Sequence, residues 1–201
     1  MTQRRTTRPS PSAASDTELL RCLVEGTAAT VGQDFFRALV SDLRTALGTI
    51  GAWVAEYHPA HRELHALAMT MGDERLDGFR YAIDGTPCQA AIDSGRLVHI
   101  PENVIELYPR HAPLRHLHAV SYLGVPLLDV DGSTIGHVGA LHDQPLRNVR
   151  LIDAFQVFAA RASAELRRMR AAQAVEEREV QLKRLLDGAM DAIISCDEQL
   201  R

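Results

Sequence analysis

Lysine, tryptophan and cysteine are all scarce in this sequence of 201 residues. Lys183 is its one lysine and Trp53 its one tryptophan, so arginine supplies almost all of the basic side chains. The formal net charge of -4 is small and slightly acidic. Because proteins that bind nucleic acid usually carry a strongly basic surface, we expect no direct contact between this segment and nucleic acid.

Long apolar runs and paired cysteines are also absent from the sequence. No apolar stretch approaches the length of about 20 residues that a membrane-spanning helix needs. The N-terminus is basic and polar with no apolar run behind it, unlike a secretory signal. Cys22, Cys88 and Cys196 are far apart and form no paired motif. These features predict a cytoplasmic protein with reduced thiols and no membrane contact.

The first part of the chain changes from a polar tail to helical periodicity. Residues 1–15 are rich in Arg, Thr, Ser and Pro and predict a disordered N-terminus. Leucines at helical spacing after Asp16 predict a short helix, and a second helix is predicted at about 34–47. Gly48 is a natural end for that second helix.

A two-residue period then takes over and predicts strands. The four predicted strands before the hairpin are about 50–57, 64–70, 79–83 and 97–100. Thr86 as N-cap and Pro87 as first helical residue predict a short helix that ends at Ser94-Gly95. Residues 101–118 show no clear period and predict a long loop with one helical turn.

Two further apolar runs, about 121–129 and 134–142, flank a polar turn that contains Asp131-Gly132. An Asp-Gly pair between apolar runs is a strong hairpin signal. From Asn148 to about Leu186 the pattern is helical. The order of elements therefore predicts an α+β fold with a largely antiparallel sheet and a long C-terminal helix.

The long C-terminal helix has apolar residues at heptad-like spacing. They are Phe155, Ala159, Ala162, Leu166 and Met169, and then Val175, Leu182 and Ala189. Such spacing is typical of helices that pair with one another. Because a helix of this length cannot bury all of its apolar residues on so small a domain, we expect it to form a homodimer with a second copy.

Three segments carry a resemblance to a known family. The segment YLGVPLLDVDGSTIGHVGALHD resembles the signature hairpin of GAF domains, with a polar turn between its two strands. The segment GTPCQAAIDSGRLVHI resembles the middle of a GAF domain. The opening EGTAATVGQDFFRALVSDLRTALG is similar to the start of GAF domains at the front of bacterial multidomain regulators. Together they extend the resemblance over residues 20–170.

The resemblance implies a GAF-like sheet with the hairpin at its centre, beneath a ligand pocket. Gly124, Gly136 and Gly139 would then allow a helix or a ligand to approach the strand face closely. Pro126 has no backbone N–H, so it is expected at a strand position that donates no hydrogen bond to the neighbouring strand.

The last segment, LLDGAMDAIISCDEQLR, resembles the opening of a PAS domain, in which a helix leads into a first strand. The resemblances together imply four parts of the chain. They are a disordered N-terminus at 1–15, a GAF domain at 16–170, a signalling helix at 171–187 and the truncated start of a PAS domain at 188–201.

Mostly apolar and aromatic residues are expected to line the implied pocket. Such a wall with a few polar groups suits a small organic ligand. The alternative is that the same residues only fill the core of a domain that dimerises without a ligand. The candidate ligand-binding residues are Trp53, Met69, Met71, Tyr81, Cys88, Tyr108, Leu114, His118 and Tyr122. The sequence leaves the identity of any ligand or cofactor open.

Cys88 is predicted at the start of a helix, where the helix dipole lowers the pKa of a thiol. It could therefore be a redox-sensing thiol or an iron ligand, or alternatively a small buried side chain. Bilin attachment is not indicated, because Gln89 follows Cys88 where bilin-binding GAF domains have histidine. The cyclic-nucleotide pattern of phosphodiesterase GAF domains is also missing, because no lysine precedes Lys183.

Histidines raise the question of a metal site. His61 and His65 are four residues apart, but they fall on a predicted turn and strand, where that spacing does not place them on one face. His111, His116 and His118 lie in the predicted loop beside the pocket. Solvated loop histidines are the alternative interpretation, and no zinc-binding spacing supports a metal centre.

The sequence therefore predicts a sensor and not an enzyme. It contains no nucleophile motif, no P-loop and no distinctive carboxylate pair. We expect a small-molecule or redox-sensing GAF domain of a bacterial regulator, and the opening segment favours a sigma-54-dependent transcription activator as the parent protein. The alternatives are the sensor of a histidine kinase or a diguanylate cyclase, and a ligand-free dimerisation module.

Overall fold

The computed structural model describes residues 30–199, apart from the side chains of residues 149–151 and 187–199. The predicted disordered tail at 1–15 and the helix predicted after Asp16 lie outside the described residues. The chain divides into two compact units, of which the first extends to Glu165 and the second begins at Leu166.

Helices and strands occupy most of the described chain. The helices are α1 (Gln33–Leu47), α2 (Pro87–Ser94), α3 (Val104–Leu107), α4 (Ala112–His116) and α5 (Val149–Gln199). The strands are β1 (Gly51–His58), β2 (Glu63–Met71), β3 (Glu74–Arg75), β4 (Arg80–Ala82), β5 (Val98–Ile100), β6 (Ser121–Leu128) and β7 (Thr134–His142).

The strands form one seven-stranded sheet in the order β3-β2-β1-β7-β6-β5, with β4 also paired to β2. All of the strand pairs are antiparallel. The predicted α+β fold with an antiparallel sheet and a long C-terminal helix is therefore confirmed. The hairpin of β6 and β7 places β7 beside β1 in the middle of the sheet, as the resemblance implied.

The two central strands are buried along nearly their whole length, because both faces of the sheet are covered. On one face α1 packs against β1 and β2, and on the other α2 packs against β6 and β7. Burial on both faces explains why β7 reads as a nearly continuous apolar run and not as an alternating pattern.

Glycines end two of the helices as the sequence predicts. Gly48 and Gly95 follow α1 and α2 in the left-handed conformation, with φ of 65° and 63°. Thr86 occupies the N-cap position of α2, but its hydroxyl does not cap the helix and instead donates to the carbonyl of Ile83 at 2.6 Å. The N-cap position of Thr86 was therefore predicted correctly, but its side chain does not form the hydrogen bond expected of an N-cap.

Three details differ from the sequence-based expectation. Strand β3 was not predicted, since two residues are too few to show a period. The predicted loop at 101–118 contains two short helices, α3 and α4, instead of one turn. Helix α5 continues to Gln199, well past the predicted end near Leu186. The assignment of 188–201 to a PAS domain stays a prediction.

In the first unit, the beginning of α5 lies beside α1. The guanidinium carbon of Arg161 is 6.0 Å from the centre of the Phe35 ring. The backbone N–H of Gly32 donates to the carboxylate of Glu165. Phe155 and Ala162 of the predicted seam are buried in this part of α5, as is Phe158 beside them, while pairing through the seam stays a prediction.

In the second unit, α5 carries apolar side chains that are exposed to solvent. They are Val175, Val180, Leu182, Leu185 and Leu186, each between 45% and 64% exposed. In the part of the chain that the structure describes, no helix combines the length and apolar character needed to cross a bilayer.

Two glycines of the hairpin make room for aromatic side chains. A Cβ atom on Gly139 would lie 2.1 Å from Cζ2 of Trp53, and one on Gly124 would lie 2.0 Å from the hydroxyl oxygen of Tyr122. The close approach predicted at these glycines is therefore present, but it is made by rings from the sheet itself and not by a helix. Gly136, the third predicted position, is buried opposite Glu56 of β1.

We predict that Gly139→Ala destabilises the domain by about 2 kcal/mol or more, because the added methyl group overlaps the rigid indole of Trp53. Urea denaturation measures this free energy of unfolding. Gly51→Ala is the matched control in β1, because the one atom that its Cβ would meet closer than van der Waals distance is the sulfur of the flexible Met71 side chain, at 2.7 Å. If the two variants lost the same free energy of unfolding, this would contradict the claim that the packing of Trp53 on Gly139 excludes a side chain at position 139.

Candidate functional site

A cavity of about 860 Å³ opens on the face of the sheet that α2 covers. Its floor is formed by residues of β1, β2, β6 and β7, and its walls come from β4, α2 and the segment around α4. The floor residues share one face because side chains alternate along a strand, so that Trp53 lies opposite Gly139 while Val54 points to the other face. A cavity of this volume is in the range that holds small organic molecules.

Most of the residues predicted to bind a ligand line this cavity. The lining members of that set are Trp53, Met69, Met71, Tyr81, Cys88, Leu114 and Tyr122. Two predicted residues lie elsewhere. Tyr108 packs against the apolar cluster beside the cavity, and His118 is exposed at a turn where its φ of 52° is left-handed. Neither side chain lines the cavity in this structure.

Sequence reasoning also missed several residues of the cavity wall. They include Phe79, Pro113, Leu117 and Leu141, whereas His111, which was placed beside the pocket only as a possible metal ligand, also lines it. Phe79 is half exposed and stacks on Tyr81, with ring centres 6.0 Å apart. Phe79 directly precedes the short strand β4, and Tyr81 lies within it. The sequence feature that could have identified Phe79 is the pattern of two aromatic residues separated by one residue.

A chain of buried hydrogen bonds lies beneath the cavity, and His137 is at its centre. The indole N–H of Trp53 donates to Nδ1 of His137 at 3.2 Å. Nε2 of the same ring is 2.9 Å from the hydroxyl oxygen of Tyr122. The Tyr122 and His137 rings are nearly parallel, with an interplanar angle of 5°. His137 is fully buried and was not predicted as a site residue.

The direction of these hydrogen bonds follows from the chemistry of the indole. A tryptophan N–H can only donate, so Nδ1 of His137 must be an acceptor. Burial lowers the pKa of His137 to about 3, and the ring is therefore neutral near pH 7. A neutral imidazole that accepts at Nδ1 carries its proton on Nε2, which donates to the Tyr122 oxygen. The hydroxyl proton of Tyr122 is then free to point elsewhere.

The polar end of the cavity brings together the Tyr122 and Tyr81 hydroxyls and the thiol of Cys88. The Tyr81 oxygen is 3.8 Å from the Cys88 sulfur, and the hydroxyls of Tyr122 and Thr86 are close enough to that sulfur to affect the pKa of the thiol. Burial raises the pKa of both tyrosines well above their usual range. Each of these groups is uncharged at neutral pH.

Cys88 differs from the expectation drawn from its position at a helix start. The helix dipole was expected to lower its pKa, whereas burial raises the pKa of the thiol, an effect that outweighs its hydrogen bonds. A buried thiol of raised pKa holds little thiolate, the reactive form. The structure therefore favours the alternative interpretation, in which Cys88 is a small buried side chain of the cavity wall.

The histidines considered as metal ligands are not gathered into a cluster. His65 stacks on His58 of the neighbouring strand with ring centres 3.8 Å apart, while His111 and His116 line the cavity. Over residues 30–199, no group of three or more His, Cys, Asp or Glu side chains is arranged to hold a metal ion.

A second cavity, of about 750 Å³, lies beside α1 and has charged walls. Several of these charges pair with one another. Asp77 accepts from Arg37 at 3.0 Å and from Arg75 at 3.3 Å. We favour the first cavity as the functional site because its polar groups converge on an apolar space, which is the usual form of a small-molecule site.

The sequence of the chain identifies the protein family to which it belongs. The sequence model of the GAF domain family matches residues 32–166. The chain belongs to the GAF domain family. Among curated proteins, no sequence matches it.

Solved structures share the fold of this GAF domain at low sequence identity. The GAF domain of an Acinetobacter phosphoenolpyruvate-protein phosphotransferase superposes with a TM-score of 0.60 at 14% identity, and covers 79% of this chain and 96% of its own. The equivalent domain from Coxiella burnetii gives 0.61 at 16% identity, with the same coverage. A methyl-accepting chemotaxis protein gives 0.57 at 20% identity, covering 71% of this chain and 92% of its own. At these identities the likeness shows the fold alone.

We predict that this GAF domain loses stability in acid through His137. Its pKa of about 3 in the fold lies below the usual value of 6.5, so an unfolded chain takes up a proton that the folded chain cannot. The stabilisation is fully present above about pH 6.5 and is lost, by at most about 1.4 kcal/mol per pH unit, as the pH falls toward 3.

Urea denaturation of the wild type and of His137→Gln across this pH range isolates that contribution, because other carboxyl and histidine groups titrate in both proteins. The free energy of unfolding should fall more steeply with acid in the wild type than in the variant. Parallel curves for the two proteins would contradict a neutral, buried His137.

Proposed function

We propose that this GAF domain is the small-molecule sensor of a bacterial transcription regulator, and that its ligand occupies the cavity above Trp53 and Tyr122. The observation that carries the proposal is the convergence of three uncharged polar side chains on an apolar cavity of about 860 Å³. A domain that served only to fill its own core would not need a space of this size, since protein interiors are closely packed.

The connection between the cavity and α5 supports a sensing role. Residues 143–148 link β7 to α5, and they are hydrogen-bonded to the strands beside Tyr122. Ser121 donates to the carbonyl of Gln144 at 2.8 Å. The carbonyl of Leu146 is 2.7 Å from Nε2 of His99 in β5, and its N–H donates to Pro101 at 3.0 Å. A change at the cavity floor therefore has a direct mechanical route to the start of α5.

In the proposed mechanism, ligand binding shifts the balance between two arrangements of this connection. The ligand would contact Tyr122, whose neighbours in β5 and β6 hold the linker at Gln144 and Leu146. The start of α5 at Val149 would respond, and the helix would transmit the change along its length to an output domain. A difference of a few kcal/mol in ligand affinity between the two states is enough to reverse their populations.

The class of parent protein is proposed from sequence resemblance. The opening segment of the domain is similar to those of sigma-54-dependent transcription activators, and residues 188–201 resemble the start of a PAS domain. We therefore propose that α5 is a signalling helix between two sensor domains of such an activator.

We also propose that this helix pairs with its copy in a homodimer. The support is the exposed apolar stripe of the second unit, where Val175, Leu182 and Leu186 follow one another at steps of seven and four residues. This spacing is typical of a two-stranded coiled coil. Pairing would bury side chains that are each more than half exposed in the single chain.

The ligand-binding proposal predicts that the protein purified from its native bacterium carries a small molecule. Native mass spectrometry should show a non-covalent adduct on the wild type. Ala112→Trp should lose the adduct, because Ala112 is an exposed residue of the cavity wall and a bulky ring there fills the space. Ala60→Trp is the matched control, since Ala60 is exposed in the turn between β1 and β2.

An adduct of equal abundance on all three proteins would place the molecule outside this cavity. A wild-type mass equal to that of the bare chain would count against the sensor and favour a ligand-free domain.

The dimer proposal predicts that Leu182→Glu produces a monomer, because a charge in the apolar seam would be buried without a partner. Sedimentation velocity distinguishes the two states. Val130→Glu is the matched control, since Val130 is 90% exposed at the tip of the hairpin loop. The wild type and the control should sediment as dimers, and an unchanged coefficient for Leu182→Glu would contradict pairing through this seam.

A further inference from the structure

The charges around the cavity restrict the kind of molecule that it can hold. Over the described residues, its lining contains neither Arg nor Lys, whereas the acidic residues Asp73, Glu74 and Asp84 lie at its rim. His111 is half-buried, and burial lowers its pKa so that it is less often charged near neutral pH. A phosphate or carboxylate buried here would lack a fixed cation, and burial of an unpaired charge is strongly unfavourable.

The hydrogen-bond chain beneath the cavity fixes what the polar end can offer. Because Trp53 occupies Nδ1 of His137 and Nε2 donates to Tyr122, the Tyr122 oxygen is already an acceptor. Its own proton must therefore be donated in another direction. Tyr122 is fully buried, and its hydroxyl lies near the sulfur of Cys88, which is only a weak acceptor for that proton. A ligand oxygen would be a better partner for the same proton.

The walls of the cavity suit a flat molecule. The Trp53 and Tyr122 rings lie 6.3 Å apart at a tilt of 30° on the floor. The stacked pair of Phe79 and Tyr81 supplies a second aromatic surface at the edge, where Phe79 is 50% exposed. Aromatic side chains pack well against the faces and edges of other rings.

We infer that the cavity selects an uncharged, flat organic molecule with a hydrogen-bond acceptor, such as a ketone or ether oxygen, that receives the hydroxyl proton of Tyr122. This inference rests on the proposed ligand-binding function of the same cavity. It adds the charge, shape and hydrogen-bonding character of the ligand.

Three probes that share one carbon skeleton test the inference. Indanone is neutral and carries a ketone, indane lacks the acceptor, and indane carboxylate carries a negative charge. Isothermal titration calorimetry of the whole chain should show indanone binding about tenfold more tightly than indane, which corresponds to about one net hydrogen bond. The carboxylate should give no measurable binding.

Tyr122→Phe keeps the ring and removes the donor. It should reduce the affinity for indanone to that for indane, and leave the affinity for indane unchanged as evidence that the cavity is intact. Tyr57→Phe is the matched control, because Tyr57 is a buried tyrosine on the same face of the sheet that does not line the cavity. It should leave the order of the three probes as in the wild type.

The possible outcomes separate the inference from the proposed function. Equal binding of indanone and indane by the wild type would overturn the acceptor preference, and tightest binding of the carboxylate would overturn the preference for a neutral ligand. In both cases the cavity would remain a ligand site. Failure of the folded wild type to bind any of the three probes would count against the cavity as a binding site, and so against both proposals.

Discussion

The buried contact of His137 with Trp53 and Tyr122 is the constraint on which the cavity depends. These three side chains come from the three adjacent strands β1, β7 and β6, and they can meet only because Gly139 and Gly124 leave the strand surface bare beneath the rings. The hydrogen bonds satisfy every polar atom that the imidazole and the indole bring into the interior. A neutral His137 is the condition for this arrangement, because burial lowers its pKa and so disfavours the charged ring.

In the proposed function, this arrangement would connect the stability of the fold to ligand recognition. The ring of Tyr122 is held by β6 and by His137, so its hydroxyl oxygen has a fixed place at the end of the cavity. Beside it, the thiol of Cys88 and the hydroxyl of Tyr81 complete a polar patch without charge. The same strand, β6, holds the linker to α5 through Ser121. In the proposed function, ligand recognition and its transmission to α5 would therefore both depend on the same short stretch of β6.

Much of the fold could be predicted from local sequence, but the centre of the site could not. Asp131-Gly132 and the glycines after α1 and α2 identify turns and helix ends by their own conformational needs. His137 belongs to an apolar run and has its partners 84 and 15 residues away, so no local spacing reveals it. The glycines at 124 and 139 were the available signal, because glycine within a buried strand indicates close approach. Their register, Gly139 opposite Trp53, is visible only in the folded sheet.

For Cys88 the sequence predicted the position at a helix start correctly but predicted the wrong direction for its pKa. The burial that raises the pKa depends on tertiary packing, which local sequence does not show.

The central claim is that His137 is neutral and carries its proton on Nε2. Nitrogen NMR of the imidazole rings tests this directly, with the His137 signals identified by their loss in His137→Gln. We expect one ring with the shifts of the neutral Nε2–H form, unchanged as the pH is lowered from about 8 to about 5, where ordinary histidines become charged. A His137 ring that becomes an imidazolium in that range, or that carries its proton on Nδ1, would contradict the account.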